Sequence, residues 1–178
     1  EIHTFFKDGE GPLLILLHGF PTSSYDWRAA IQLMPAQKLL AFDFLGFGLS
    51  DKPPDHNYTL SWQADLTEEL ADRYAGGGPV YICAHDLGTS VATELLARDM
   101  AGELGFALCG MAIFNGSILV EKSNPTLAQK LLRGPFGPLA ARFANEAFFR
   151  RQFASIFSET HQVSDQDMAD NWALMCWN

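Results

Sequence analysis

The sequence predicts an α/β fold in which a mostly parallel sheet is flanked by helices. Through the first 116 residues, short apolar runs typical of strands buried on both faces alternate with stretches of helical periodicity. Strands that alternate with helices favour a parallel sheet with right-handed crossovers. The predicted strands are residues 13–17, 39–42, 80–83 and 108–114, and the predicted helices are residues 26–33, 61–74 and 89–100.

Local signals indicate where these elements begin and end. Residues 13–17 are all apolar, and the glycine and proline of residues 18–21 end that run. Ser61 is expected to cap the second helix, in which Leu66 and Leu70 recur at helical spacing.

The sequence changes character after residue 116, where helical patches separated by glycine and proline replace the alternation. We therefore predict two parts, residues 1–116 with the sheet and residues 117–178 with helices. The last helix is expected to be capped by Ser164 or Asp165. The helical patches are residues 126–132, 139–145, 149–157 and 165–177, and the core of this part is expected to contain Phe136, Phe143, Phe148, Phe149, Phe153, Phe157 and Trp172.

Composition argues against several classes of partner. The 178 residues include 12 Lys and Arg and 21 Asp and Glu, which gives a formal net charge of −9. Without an excess of positive charge, binding to nucleic acid or to an anionic membrane surface is not expected. No apolar run approaches the roughly 18 residues of a membrane span, and the first residues lack the pattern of a signal peptide. The oligomeric state stays open.

The cysteines do not form the pattern of a disulfide framework or of a metal site. Cys83, Cys109 and Cys176 are few and scattered, and we expect them to be buried as small apolar residues. No Cys or His spacing is typical of zinc. The expectation is therefore no metal, no cofactor and a cytoplasmic location.

The strongest chemical signal is the segment Ala84-His85-Asp86-Leu87-Gly88, between the third predicted strand and its helix. Small residues two positions before and after Asp86 allow a very tight turn, which lifts one side chain above the end of the sheet. The usual form of this turn is G-x-S-x-G, and here an aspartate replaces the serine. Asp86 as a simple helix cap is the alternative, but the tight turn favours a nucleophile.

An aspartate at such a turn is a nucleophile that needs no activating base, because it is anionic at neutral pH and the helix N-terminus favours its charge. Its attack on a saturated carbon would form an ester on the protein. Water must then attack the ester carbonyl, which requires a histidine base and an oxyanion hole. The backbone N–H groups of Phe20 and Leu87 are the expected oxyanion-hole donors.

Two further motifs accompany this turn, His18-Gly19-Phe20-Pro21 and residues 43–53. On these motifs the chain resembles the α/β-hydrolase fold superfamily, in the branch of epoxide hydrolases and haloalkane dehalogenases. Residues 18–27 and 43–53 are most similar to mesoderm-specific-transcript-like hydrolases. The resemblance covers residues 11–117 well and the helical part loosely, and it implies that the helical part is a cap domain.

The resemblance also implies roles for individual residues. Asp86 would be the nucleophile, and His18 and His85 would flank the site and organise its loops without acting as the base. Asp43 would tie down a loop, and Trp27 would either border the pocket or pack a helix. Gly46 and Gly48 would be structural.

The sequence departs from the dehalogenase pattern at two positions. Haloalkane dehalogenases carry Asn in place of Phe20 and Trp in place of Leu87, and these two side chains hold the leaving halide. Fluoroacetate dehalogenases carry arginine at the positions of Leu87 and Ser90. Epoxide hydrolases share the motif of residues 18–21, although they also use cap tyrosines and this chain has none after Tyr81.

These observations predict a hydrolase that acts through an aspartyl ester on a small apolar substrate, with an epoxide favoured. A haloalkane dehalogenase and a non-catalytic binding protein with a hydrolase fold are the alternatives. Asn115 stands where some members carry the catalytic acid, and His161 is not expected to be the base. We therefore expect the acid, the base histidine and the later strands beyond Asn178, so that the chain is an N-terminal portion of an enzyme.

Overall fold

The computed structural model describes residues 1–116, 134 and 145–177. Its sheet has five strands in the spatial order β1-β3-β2-β4-β5. The outer strand β1 runs antiparallel to β3, and the other neighbours pair in parallel. The predicted fold class is confirmed. The strands are β1 (Thr4–Lys7), β2 (Glu10–Leu17), β3 (Gln37–Phe42), β4 (Val80–His85) and β5 (Leu108–Phe114).

The described helices agree with the predicted ones in place but differ at their ends. The predicted helix 26–33 is a 3-10 helix, Ser24–Trp27, followed by a short α-helix. The predicted helices 126–132 and 139–145 lie outside the described residues, apart from residue 145. The α-helices are α1 (Arg28–Gln32), α2 (Leu60–Ala75), α3 (Leu87–Ala101), α4 (Glu146–Ala154) and α5 (Asp165–Met175).

The capping residue of α2 is Thr59, and the prediction of Ser61 was wrong. Thr59 Oγ1 accepts a hydrogen bond from the Trp62 N–H at 3.1 Å. Ser61 lies inside the first turn, where its hydroxyl instead accepts from Arg98. At α5, Ser164 Oγ accepts from the Asp167 N–H at 3.0 Å, so Ser164 and not Asp165 satisfies that helix terminus.

Strand β1 was missing from the prediction. Its residues pair with β3 in the register Thr4↔Phe42, and Phe5 on its outer face is 45% exposed. Four residues at a sheet edge bury too little apolar surface to give a clear sequence signal.

Helices cover both faces of the sheet, as the apolar strands predicted. Leu13, Ile15 and Leu17 of β2 belong to one core cluster with apolar residues of α2 and α3. Leu16 belongs to a second cluster with Trp27, on the α1 side of the sheet. Because both faces of β2 are buried, its side chains have no need of a polar alternation.

The chain divides into two compact units, one formed by Glu1–Ile118 with Leu174–Asn178 and the other by Leu119–Ala173. In the second unit, Phe149 and Phe153 are buried and their rings stack at 5.1 Å, with Trp172 5.5 Å from Phe149. Phe148 is 43% exposed and Phe157 is 40% exposed, so the prediction that these two residues belong to the core was wrong. Phe136 and Phe143 lie outside the described residues.

Other features of composition can be placed on the structure. Cys109 and Cys176 are exposed and Cys83 is partly buried, so the expectation that all three are buried was wrong. Within residues 1–116 and 145–177, no helix combines the length and hydropathy that a membrane span requires.

Candidate active site

Asp86 lies in a sharp turn between the end of β4 at His85 and the start of α3 at Leu87. Its backbone has φ 49° and ψ −114°, a conformation that residues other than glycine rarely adopt. The turn is tight enough to require glycine two positions later, since a Cβ on Gly88 would lie 2.6 Å from the Leu17 carbonyl oxygen. Strain of this kind concentrates at functional sites.

The Asp86 side chain does not cap α3, so the alternative role as a helix cap has no hydrogen bond to support it. Instead, Asp86 Oδ1 accepts a hydrogen bond from the Phe20 N–H at 2.9 Å. Leu87 supplies the first N–H of α3, which has no carbonyl partner inside the helix. The loop after β2 and the turn after β4 therefore meet at the carboxylate.

Close packing holds these two loops together. A Cβ on Gly19 would lie 2.7 Å from Asp86 Cβ and 3.2 Å from both Asp86 Oδ1 and His85 Nδ1. Gly88 donates its N–H to the His18 carbonyl at 2.9 Å. Glycine at these two positions lets the backbone that carries Phe20 approach the carboxylate directly.

The side chains of the two expected oxyanion-hole residues, Phe20 and Leu87, pack against other apolar side chains. Phe20 is 53% exposed, and its ring lies edge-on to Phe47 at 6.1 Å. The Leu87 side chain packs against the core cluster under α2 and α3. Neither side chain carries an N–H, so only the backbone of these residues can donate a hydrogen bond at the site.

His18 is fully buried, and both of its ring nitrogens bond to backbone groups. The Gly19 carbonyl accepts from Nδ1 at 2.8 Å, and Nε2 accepts from the Phe44 N–H at 3.0 Å. Burial lowers the pKa of His18 to about 4. A neutral imidazole with both nitrogens engaged cannot take a proton from water, so these contacts fit the predicted loop-organising role.

The rings of His85 and Trp27 both contact Phe114 at the end of β5. The His85 ring is half-buried and 5.3 Å from the Phe114 ring, and Trp27 meets Phe114 edge-on at 5.9 Å. Trp27 is buried against Leu16 and Ala41, which is the packing alternative of the two that the sequence left open.

Asp43 follows β3 and holds two loops through its buried carboxylate. Its Oδ1 accepts from the Ser24 N–H at 2.7 Å and from Ser24 Oγ at 2.6 Å, and its Oδ2 accepts from the Leu49 N–H at 2.8 Å. A Cβ on Gly48 would lie 2.1 Å from Asp43 Oδ2. Both carboxylate oxygens of Asp43 therefore accept hydrogen bonds from loop residues, which is a structural role.

Sequence reasoning missed a polar pair beside the Phe20 loop, Thr22 and Asp26. Thr22 is buried, its Oγ1 donates to Asp26 Oδ2, and its Oγ1 also lies 3.3 Å from the Gly19 carbonyl oxygen. Burial raises the pKa of Asp26. A serine- and threonine-rich turn with one aspartate looks solvent-exposed in a sequence, so no local signal revealed that Thr22 is buried and Asp26 partly buried.

His161 and Asn115 are the two further residues whose catalytic roles the sequence weighed. His161 lies exposed in a turn of the second unit, where its backbone N–H donates to Ser158 and its ring contacts Thr160. Asn115 follows β5 with a positive φ of 55° and is exposed. Within the described parts of the chain, no group of three or more His, Cys, Asp or Glu side chains could hold a metal ion.

The fold and the strained aspartate turn define an α/β hydrolase. A model of the alpha/beta hydrolase family matches residues 14–177, and the chain belongs to this family.

Two curated relatives match nearly the whole chain. LipZ of Mycobacterium tuberculosis is 46% identical over 176 residues, which cover 98% of this chain and 61% of LipZ. The human mesoderm-specific transcript homolog protein is 35% identical over 184 residues, covering 97% of this chain and 55% of that protein. The resemblance stated from the motifs is confirmed. The chain spans little more than half the length of these relatives.

Solved structures of two kinds of enzyme have the same fold. The haloalkane dehalogenase DbeA from Bradyrhizobium elkani is 27% identical with a TM-score of 0.69, over 99% of this chain and 65% of that one. The epoxide hydrolase CorEH also has a TM-score of 0.69, at 22% identity, over 98% of this chain and 68% of that one. The second likeness shows the fold alone.

Proposed function

We propose that the protein is a hydrolase that forms an aspartyl ester on Asp86 and that its substrate is a small apolar epoxide. The observation that carries this proposal is the hydrogen bond from the Phe20 N–H to Asp86 Oδ1, in a strained turn at the end of β4. A helix cap would need neither the strain nor a donor from another loop.

This hydrogen bond supports different roles for the two carboxylate oxygens in the proposed reaction. Among the described residues no group donates to Oδ2, so Oδ2 is free to attack an epoxide carbon. The epoxide C–O bond breaks as the Asp86 ester forms, and the departing oxygen takes a proton. Oδ1 then becomes the carbonyl oxygen of the ester, with the Phe20 N–H already directed at it.

The second step is the hydrolysis of the ester. Water attacks Cγ, a general base takes its proton, and negative charge develops on Oδ1. The Phe20 N–H, and the Leu87 N–H at the start of α3, would stabilise that charge. The Cγ–Oδ2 bond then breaks, so Oδ2 leaves with the product and the oxygen of water remains on Asp86.

Isotope labelling tests this sequence of bond changes. The protein as its gene encodes it would be mixed in excess with styrene oxide in H₂¹⁸O for a single turnover. We expect the diol to contain unlabelled oxygen from Asp86, and the Asp86 peptide to gain one ¹⁸O. Asp86→Ala should give neither diol nor adduct. A first-turnover diol that carries ¹⁸O would show direct attack by water and refute the ester.

A haloalkane dehalogenase is the second candidate, favoured by the likeness to DbeA. Against it, the Phe20 and Leu87 side chains offer no N–H to a departing halide, which a buried anion requires. We expect weak or no bromide release from 1-bromobutane, and more from a variant that combines Phe20→Asn with Leu87→Trp. Rapid bromide release by the unmodified protein would favour the dehalogenase. If the protein forms neither diol nor bromide, the result would favour a non-catalytic binding protein.

A further inference from the structure

The Gly19–Phe20 peptide unit connects the carboxylate of Asp86 to a set of buried donors behind the loop. On one edge of this peptide, the Phe20 N–H donates to Asp86 Oδ1 at 2.9 Å. On the opposite edge, the Gly19 carbonyl accepts from His18 Nδ1 at 2.8 Å and from Thr22 Oγ1 at 3.3 Å. Because a peptide unit is a rigid plane, the donors that hold the carbonyl also set the direction of the N–H.

Thr22 is in turn held by Asp26 from the 3-10 helix. Its hydroxyl donates to Asp26 Oδ2, and the Asp26 N–H donates to the Ser23 carbonyl at 3.2 Å. Thr22 is only 9% exposed, so water does not compete freely for its hydroxyl. Neither residue touches the reacting oxygen atoms of Asp86 in these contacts.

We propose that Thr22, with Asp26 behind it, is a positioning residue that orients the Gly19–Phe20 peptide so that its N–H points at the oxygen of Asp86 on which charge develops. This proposal rests on the proposed function, since a directed N–H matters most for hydrolysis of the ester. His18 holds the same carbonyl, but it also bonds to the Phe44 N–H, so Thr22 offers the cleaner perturbation.

The protonation state of Asp26 decides which acceptor the Thr22 hydroxyl bonds to. The Thr22 hydroxyl has one proton for two acceptors, the Gly19 carbonyl and Asp26 Oδ2. An ionised carboxylate is the stronger acceptor and takes that proton. A protonated Asp26 can donate to Thr22 instead, and the Thr22 proton then goes to the Gly19 carbonyl.

The surroundings of Asp26 favour its protonated form more than water would. Burial is the main cause that raises the pKa of Asp26, and the carboxylate of Asp43 acts in the same direction. The Thr22 hydroxyl, His85 and Arg28 act in the opposite direction. The net effect is upward, so the protonated form extends to a higher pH than that of an exposed aspartate.

Four variants of the protein as its gene encodes it test the proposal. Thr22→Val removes the hydroxyl at nearly constant volume, and Thr22→Ser restores it. Asp26→Asn keeps a donor toward Thr22 at every pH. Thr67→Val is the matched control, because Thr67 is also buried and its hydroxyl donates to a backbone carbonyl, that of Gln63, in α2 away from the site.

The assay separates formation of the Asp86 ester from its hydrolysis, by rapid quenching and mass spectrometry after mixing with styrene oxide. At a pH low enough for Asp26 to be protonated, Thr22→Val should slow ester hydrolysis about tenfold, less than loss of an oxyanion-hole donor would cost. It should leave ester formation within about a factor of two. Thr22→Ser and Thr67→Val should resemble the unmodified protein. In acid, the unmodified protein and Asp26→Asn should hydrolyse the ester at nearly equal rates. As pH rises through the Asp26 pKa, hydrolysis by the unmodified protein should become slower than hydrolysis by Asp26→Asn. Equal hydrolysis rates for Thr22→Val and Thr67→Val would overturn the proposal.

A second measurement does not depend on turnover. The amide proton resonance of Phe20 reports the hydrogen bond to Asp86. At a pH low enough for Asp26 to be protonated, it should move upfield in Thr22→Val but not in Thr22→Ser. If no ester forms in the unmodified protein, the proposed function is refuted, and this resonance still decides whether Thr22 orients the peptide. An unchanged resonance in Thr22→Val would refute the positioning role.

Discussion

Replacing Asp86 by glycine is expected to give a more stable protein than replacing it by alanine, which reverses the usual order of these residues. The backbone at Asp86 has φ 49° and ψ −114°, where a Cβ is strained and glycine is not. Both variants lose the hydrogen bond from the Phe20 N–H equally. The difference between them therefore isolates the backbone strain of the turn.

The size of the effect follows from two opposing contributions. Strain at such a conformation costs about 1–3 kcal/mol in the folded protein. The greater freedom of glycine in the unfolded chain costs about 0.5–1 kcal/mol. The Asp86→Gly variant should therefore be more stable than Asp86→Ala by about 0.5–2 kcal/mol, where each kcal/mol corresponds to about 2–4 °C in Tm for a domain of this size.

Urea unfolding of both variants measures this difference directly. Ala97→Gly is the control, because Ala97 is exposed in the regular part of α3 and the same change there should cost about 1 kcal/mol. If Asp86→Gly proves less stable than Asp86→Ala, the turn is not strained in solution, and the geometric argument for a nucleophile at this position fails.

Three further predictions follow from buried contacts of the same unit. Burial lowers the pKa of His18 from 6.5 to about 4, so the unfolded chain binds the proton at a higher pH than the folded protein does. About 3 kcal/mol of stability should therefore be lost as pH falls from about 6.5 to about 4. His18 ring proton shifts that remain those of neutral imidazole at about pH 5 would confirm the lowered pKa, and titration near the ordinary value would contradict it. Arg98→Met should cost about 2 kcal/mol in urea unfolding, because Arg98 is 17% exposed and pairs with three carboxylates. Arg73→Met should cost about 0.5 kcal/mol or less, because its pair is exposed, and equal costs would count against a stabilising network at Arg98. Gly48→Ala should lower the free energy of unfolding by about 3 kcal/mol or more, since φ is +51° and the new Cβ would lie 2.1 Å from Asp43 Oδ2. A Tm close to that of the unmodified protein would refute this geometry.

Periodicity and turn chemistry predicted the parts of the fold that are locally encoded. The strand at residues 108–114 agrees with β5 at both ends, and the buried run 13–17 lies inside β2. The turn at Asp86 was predicted because small residues on both sides of one polar residue leave little other choice of backbone. Strand β1 was missed because its pairing with β3 joins residues more than 30 positions apart, from Thr4↔Phe42 to Lys7↔Leu39, and such pairing has no local signature.

The candidate site was only partly predictable for the same reason. Asp86, Phe20 and Leu87 lie in recognisable motifs, and the structure brings the Phe20 N–H to Asp86 from a loop 66 residues away. Thr22 and Asp26 lie in a segment that looks polar and exposed, and only the packing of that segment reveals that Thr22 is buried and Asp26 partly buried. The ring contacts of His18, likewise, depend on the Gly19 and Phe44 backbone groups on different loops.

Residue types and their spacing therefore suffice for the alternation of strands and helices, the tight turn at Asp86 and the family. These features depend on burial of neighbouring side chains and on backbone sterics, which act over a few residues. The tertiary structure decides which histidine nitrogens are occupied, where a carboxyl loses its water, and which peptide N–H faces Asp86. Those properties depend on desolvation and on hydrogen bonds between loops that only the assembled sheet brings together.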